Sequence, residues 1–236
     1  MSPEQQKQTT DWLIAIGAIA LPIITVILSV LTVFQDKIRA WIFKPKLSVS
    51  IGGHTKTPLR VSETITTPQD KNLVTAYSFY LLIHNNGNQR AEEVEVFASA
   101  LYLKQADDTY KEVKTFPHRN LHWTGTDEVF VKAISPGMQR QCQLIAIVNP
   151  AERAKAFYWD NPALGIPADK TILGFQVLTK PFARTHLVGP GTYRLVLHLA
   201  SANTKPQQVT VEISHTGQWL DDEEKMAAIG IGLKII

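Results

Sequence analysis

The sequence predicts a mainly β protein, an antiparallel β-sandwich carried on a single N-terminal transmembrane helix. Three observations carry this. Residues 12–34, WLIAIGAIALPIITVILSVLTVF, run for 23 positions without one charge. The rest of the chain breaks into short runs rich in branched and aromatic residues, separated by Gly, Pro, Asn and Asp at fairly regular spacing. No two of these runs are joined by a convincing amphipathic helix, which argues against a parallel α/β sheet.

The apolar run comes first. A helix rises about 1.5 Å per residue, so it reaches about 34 Å, enough to cross a hydrocarbon core of about 30 Å with some tilt. A cleaved signal peptide is the main competitor, but its apolar region is shorter, follows positive charge and precedes a small-residue cleavage site. Here the preceding tail, residues 1–11, sets Lys7 against Glu4 and Asp11, and the exit Thr32-Val33-Phe34-Gln35-Asp36 has no A-x-A pattern. A buried helix of a soluble domain would carry a polar stripe, and this one lacks it. Pro22 is tolerated in a membrane helix when neighbouring groups re-satisfy the freed backbone, and a kink near Ala18 is expected. Ala15, Gly17, Ala18 and Ala20 give one end a small-residue face suited to close helix pairing, although there is no G-x-x-x-G.

Residues 35–46, QDKIRAWIFKPK, form a basic juxtamembrane connector. Ile38, Trp41 and Ile42 fall on one helical stripe, and Pro45 biases Lys44 away from helix, so the helix should end there. Trp12 and Trp41 suit the membrane interface, as do Lys37, Arg39, Lys44 and Lys46, so the lipid bilayer is the first expected partner. Four cations follow the span and one precedes it. The positive-inside rule therefore places the C-terminal domain in the cytoplasm of a plasma (inner) membrane protein. The lone Cys142 cannot form an internal disulfide, which agrees with a reducing compartment.

Residues 47–236 read as the sandwich domain. Leu47, Val49 and Ile51 alternate until Gly52-Gly53 breaks the run, and residues 57–72, with Pro58 and Pro68, read as a loop. A long strand over residues 73–84 ends at the turn Asn85-Asn86-Gly87-Asn88. Val94 and Val96 alternate with Glu93 and Glu95 in the next strand, which continues through Leu103. A turn at Asp107-Asp108 leads to a short strand over residues 110–113. Ser135-Pro136-Gly137 opens a strand over residues 138–148, and Asn149-Pro150 closes it. Residues 151–168 are an irregular insert, followed by a strand over residues 171–179. Residues 191–200 and 207–215 form a hairpin. The acidic stretch Asp221-Asp222-Glu223-Glu224 suits the first turn of a short helix, and Ile229, Ile231, Leu233 and Ile235 alternate as a final strand. An unpaired apolar edge there would invite self-association or strand addition by a partner.

Asn85-Asn86-Gly87-Asn88 followed by Ala91, Val94 and Val96 resembles the N-x-G-x-x-x-A-x-x-V-x-V pattern of bacterial immunoglobulin-like domains related to cell-adhesion domains. Ile134-Ser135-Pro136-Gly137 is similar to the proline-glycine turn those domains carry later. Gly189-Pro190-Gly191-Thr192-Tyr193, leading into Leu195, Leu197 and Leu199, is similar to their penultimate strand. Tyr193 stands where a tyrosine corner would, with its hydroxyl bonding back to nearby backbone. The resemblance covers most of residues 73–215 and implies an immunoglobulin-like sandwich. The end of the chain resembles small bacterial membrane-anchored proteins. Both resemblances speak to fold far more than to function.

Chemistry is thinly represented. The net charge is +3, and no basic run lies beyond the connector, so nucleic acid is not an expected partner. There is no G-x-x-x-x-G-K-[ST], no G-x-G-x-x-G and no G-x-S-x-G. No cofactor is expected. His118 and His122 stand four apart and would grip a metal on one helical face, but Pro117 and the β-rich context oppose a helix, so no metal site is assigned. Cys142 sits in a strand pattern without a base beside it, and the paired carboxylates read as turns, so no catalytic residue is assigned. Binding is better served. Trp123 and Phe130 flank one loop, and Phe157, Tyr158 and Trp159 form a cluster in the insert. Aromatics on loops serve as interaction anchors, and the competing role is to plug the open ends of the sandwich. The expected function is a non-catalytic, membrane-tethered interaction module for a protein partner or a second copy. The rivals are an envelope-facing adhesion or ligand-binding module and a metal-dependent hydrolase.

Overall fold

The computed structural model describes residues 3–62, 71–155 and 159–236. The chain separates into two compact units, Met1–Lys44 and Pro45–Ile236.

The first unit is one helix, α1 (Pro3–Ile42), continuous through Pro22. Within it Ile16–Gln35 has a mean hydropathy of 2.5, and none of this stretch is buried. It is long and apolar enough to cross a membrane. Its hydroxyls need no water. Thr25 donates to the Leu21 carbonyl, Ser29 to that of Thr25 and Thr32 to that of Leu28, each at 2.8 Å. Such back-bonding satisfies a polar group inside hydrocarbon. The helix stops at Ile42, before the Lys44-Pro45 pair that cannot continue it.

The second unit packs two antiparallel sheets face to face. One has the order β1 (Leu47–Ser62), β2 (Lys71–Asn85), β7 (Gln139–Val148), β8 (Leu173–Phe175), β9 (Leu187–Val188). The other runs β12 (Ile231–Ile235), β11 (Thr204–His215), β10 (Gly191–Ser201), β3 (Ala91–Lys104), β4 (Tyr110–Glu112). The short strands β5 (Arg119–Asn120) and β6 (Val131–Ile134) pair with β3. Alternation decides which side chains face inward. Tyr193, Leu195, Leu197 and Leu199 of β10 are buried between half-exposed neighbours, and they meet Leu81, Ile83, Leu144 and Ile147 of the facing sheet in one core.

Three expectations change. Gly52-Gly53 does not end the first strand. Ile51 pairs with Leu81 and His54 with Phe79, so the glycines absorb one extra residue as a bulge and β1 runs on to Ser62. Pro58 is accommodated because β1 is an edge strand. The strand expected over residues 171–179 is only Leu173–Phe175, with one further bridge from Val177 to Leu121.

The irregular insert is also more than a loop. Its 3-10 turns (Pro150–Lys155 and Pro162–Leu164) and Trp159 cover the outer face of the first sheet, over Val74, Ala76, Ala146, Val148 and Leu187. A Cβ at Gly174 would run into the Trp159 ring, so glycine there seats the indole. Arg153 ties the insert down. It donates to the carbonyls of Ile166, Pro167 and Lys170 and pairs with Asp160 at 3.2 Å.

At the C-terminus Asp222 caps a three-residue helix, α2 (Glu223–Lys225), which passes through a π turn into β12. Tyr77 holds this end of the chain by donating to the carbonyls of Leu220 and Asp221 at 2.8 and 2.9 Å.

Candidate interaction pocket

A pocket of about 440 Å³ opens where the two sheets part beside β6. Its walls follow from the pairing. Trp123 bridges to Cys142, the Thr124 N–H donates to the Gln141 carbonyl at 3.0 Å, and the Gln143 N–H donates to that of His122 at 2.8 Å. This segment therefore edges β7 of the first sheet. At Gly125, with φ +85°, the chain turns away, as a residue without Cβ can do freely. It re-enters structure as β6, now paired with β3 of the second sheet, with Val131 opposite Val94 and Ala133 opposite Glu92. The pocket is the opening left by this change of sheet.

Phe130, Val131, Lys132 and Ala133 form one wall, Arg140 and Gln141 another, and Trp123 also lines it. Arg90, just before β3, adds a third cation, and Glu128 is the one carboxylate in the lining. The Arg90, Lys132 and Arg140 side chains are exposed, with no hydrogen bond or ion pair among the described residues. The pocket thus combines positive charge with aromatic surface.

The sequence-predicted anchors divide. Phe130 is 37% exposed and lines the pocket. Trp123 and Trp159 are each 1% exposed, the burial expected of the competing role, plugs of the sandwich. Trp123 lies in the main core and Trp159 beneath the insert, with the Lys180 ammonium 4.8 Å from its ring centre. An indole is the largest apolar side chain, and the sandwich has openings to fill. Phe157 and Tyr158 lie outside the described residues. Of the membrane-interface set, Trp12 is 66% exposed and Lys44 and Lys46 are exposed, while the side chains of Lys37, Arg39 and Trp41 lie outside the described residues. Arg90, Lys132 and Arg140 escape sequence reasoning because nothing short of the strand pairing brings them together.

His122 and Cys142 are held by their surroundings. The segment carrying His118 and His122 is extended, which sets those residues about 13 Å apart along the chain. The His122 Nε2 pairs with Asp127 Oδ1 at 3.0 Å. Among the described residues no three His, Cys, Asp or Glu side chains converge as a metal site would need. Cys142 is fully buried, and desolvation pushes its thiol well above the usual cysteine range, away from the nucleophilic thiolate.

No protein-family model and no curated protein matches this chain. A crystal structure of a protein assigned as ApaA, from Bordetella pertussis, is similar over 72% of this chain and 90% of that one, at 13% identity. Its TM-score is 0.29, too low to carry an argument about fold or function.

Proposed function

We propose that this chain is a non-catalytic, single-pass bacterial inner-membrane protein whose immunoglobulin-like sandwich faces the cytoplasm and binds a protein partner. The observation that carries the reading is the stretch Ile16–Gln35, with a mean hydropathy of 2.5 and no part of it buried. So much apolar surface needs a bilayer or another helix. The cations after the span favour the cytoplasmic side. The Asn85 turn and the Tyr193 hydroxyl, which donates to the Gly189 carbonyl at 2.9 Å as in a tyrosine corner, support the immunoglobulin-like assignment. The deep burial of Cys142 and the engagement of His122 leave recognition better supported than catalysis.

The test reads attachment and side separately. After alkaline carbonate extraction, the full chain is expected in the membrane pellet, and a chain lacking residues 12–34 in the supernatant. Lys205 is exposed, so Lys205→Cys gives a labelling site while buried Cys142 stays silent. An impermeant maleimide is expected to label it only after the membranes are opened. Labelling in intact cells with a permeable outer membrane would place the sandwich in the envelope, and a soluble full chain would end the tether reading.

A further inference from the structure

We propose that the seam pocket takes an extended, acidic segment of a partner protein, laid along β6 as an added strand. This rests on the interaction-module reading and names the chemistry of its partner.

Backbone comes first. Among the described residues β6 pairs with β3 along one side only, and residues 130–133, the last three of them in the strand, line the pocket. In an antiparallel strand alternate residues turn their N–H and C=O groups toward the partner, and the others turn theirs away. On the side of β6 away from β3, residues 131–133 therefore offer main-chain donors and acceptors, while the Ile134 carbonyl is taken by Asn85 Nδ2 at 2.9 Å; such an edge is the kind that an extended peptide extends. Across the gap, Gln139 and Arg140 of β7 pair with His84 and Ile83 of β2, and the segment that edges β7 on its other side has turned away at Gly125. The slot lies between two strands and is open at its mouth.

Charge selects the occupant. Arg90, Lys132 and Arg140 stand around the pocket with no ion pair among the described residues, against the single carboxylate of Glu128. Carboxylates spaced along an extended segment complement that distribution, and lysines would be repelled. Phe130, partly exposed at one wall, gives an apolar residue of the segment a surface to cover. A small free anion would meet the cations but leave the strand edge unused.

Fluorescence anisotropy on the full-length protein in detergent micelles tests this with three labelled peptides. They are Glu-Val-Glu-Val-Glu, its lysine counterpart, and the acidic peptide methylated on the nitrogens of residues 2 to 5, so that whichever alternate set faces β6 is blocked. The acidic peptide is expected to bind, more weakly as salt rises, and the lysine peptide not to bind. Backbone methylation removes strand hydrogen bonds and is expected to weaken binding about tenfold or more. The double variant Lys132→Glu, Arg140→Glu changes exposed side chains only, and its fold is checked by thermal melting. It is expected to lose the acidic peptide by a similar factor and to gain the lysine peptide.

Equal binding of the methylated peptide, or its displacement by inorganic phosphate at matched charge, would show an anion site and overturn strand addition. No binding of the acidic peptide to folded protein overturns the proposal outright while leaving membrane attachment and topology as measured. A full chain released by carbonate would instead overturn the tether and leave the peptide result standing.

Discussion

At the scale of single residues, Asn85 shows how a turn signal becomes structure. It is fully buried, which an amide tolerates only when its hydrogen bonds are met. Its Oδ1 accepts from the N–H groups of Lys46 and Gly87 at 3.1 and 3.0 Å. Its Nδ2 donates to the carbonyls of Gln89 and Ile134 at 2.7 and 2.9 Å. One side chain thus joins the start of β1, the turn after β2 and the end of β6. Asn85→Ala strands those backbone groups in the interior and is expected to cost roughly 3 kcal/mol. Urea unfolding of the variant measures this, and a loss under about 0.5 kcal/mol would deny Asn85 that role. Tyr193 is a second such residue. Its ring is buried in the main core, its hydroxyl donates to the Gly189 carbonyl, and burial pushes its pKa up to about 12.

At the scale of elements, β12 is the edge of the larger sheet. It pairs with β11 from Val211 opposite Ile235 to His215 opposite Ile231. Its inward side chain Ile231 is 1% exposed, while Lys234 on the alternate face is exposed. An outward lysine on a five-residue edge strand discourages edge-to-edge pairing. Removing residues 231–236 would uncover β11 and the core beneath Ile231. The truncated chain is expected to lose at least about 2 kcal/mol and to aggregate. Unfolding and light scattering measure the two effects, and a monodisperse truncation of unchanged stability would make β12 dispensable. The bulge at Gly52-Gly53 is another decision made by an element. β1 stays paired with a fifteen-residue partner because two residues without side chains can take up the extra length.

At the scale of the whole molecule, two buried histidines make the fold sensitive to acid. His186 is fully buried with no hydrogen-bond partner on either ring nitrogen among the described residues, and desolvation, helped by Lys180 and Arg184, pulls its pKa down to about 3. His215 has one ring nitrogen 2.7 Å from the Thr171 hydroxyl and the other 3.2 Å from the Gly189 carbonyl, and desolvation pulls it down to about 4. Both are neutral in the folded protein at neutral pH. In the unfolded chain they take up protons near the ordinary value of 6.5. As pH falls below that value the unfolded state binds protons that the folded state refuses, so stability is lost from about pH 6.5 down toward the folded pKa values. At about pH 5 the cost is about 2 kcal/mol per histidine. Between about pH 7.5 and pH 5 the sandwich is expected to lose roughly 10 °C in Tm, and His186→Leu is expected to remove about half of that slope. A Tm flat over this interval would mean the two rings are not buried neutral.

The apolar run, the strand alternation and the turns were readable in the chain because each is a local rule. A membrane-length helix needs only consecutive apolar residues, and a strand with one wet face shows its period of two. The turn at Asn85 and the back-bonding of the Tyr193 hydroxyl were readable for the same reason, since their partners include backbone within four residues. What a tryptophan touches is not local. Trp123 and Phe130 sit in one loop region with similar surroundings in sequence, yet one entered the core and the other stayed at a pocket rim. The same holds for Arg90, Lys132 and Arg140. Their convergence depends on the chain leaving one sheet at Gly125 and joining the other at Val131, a long-range pairing that becomes visible only when both sheets are assembled.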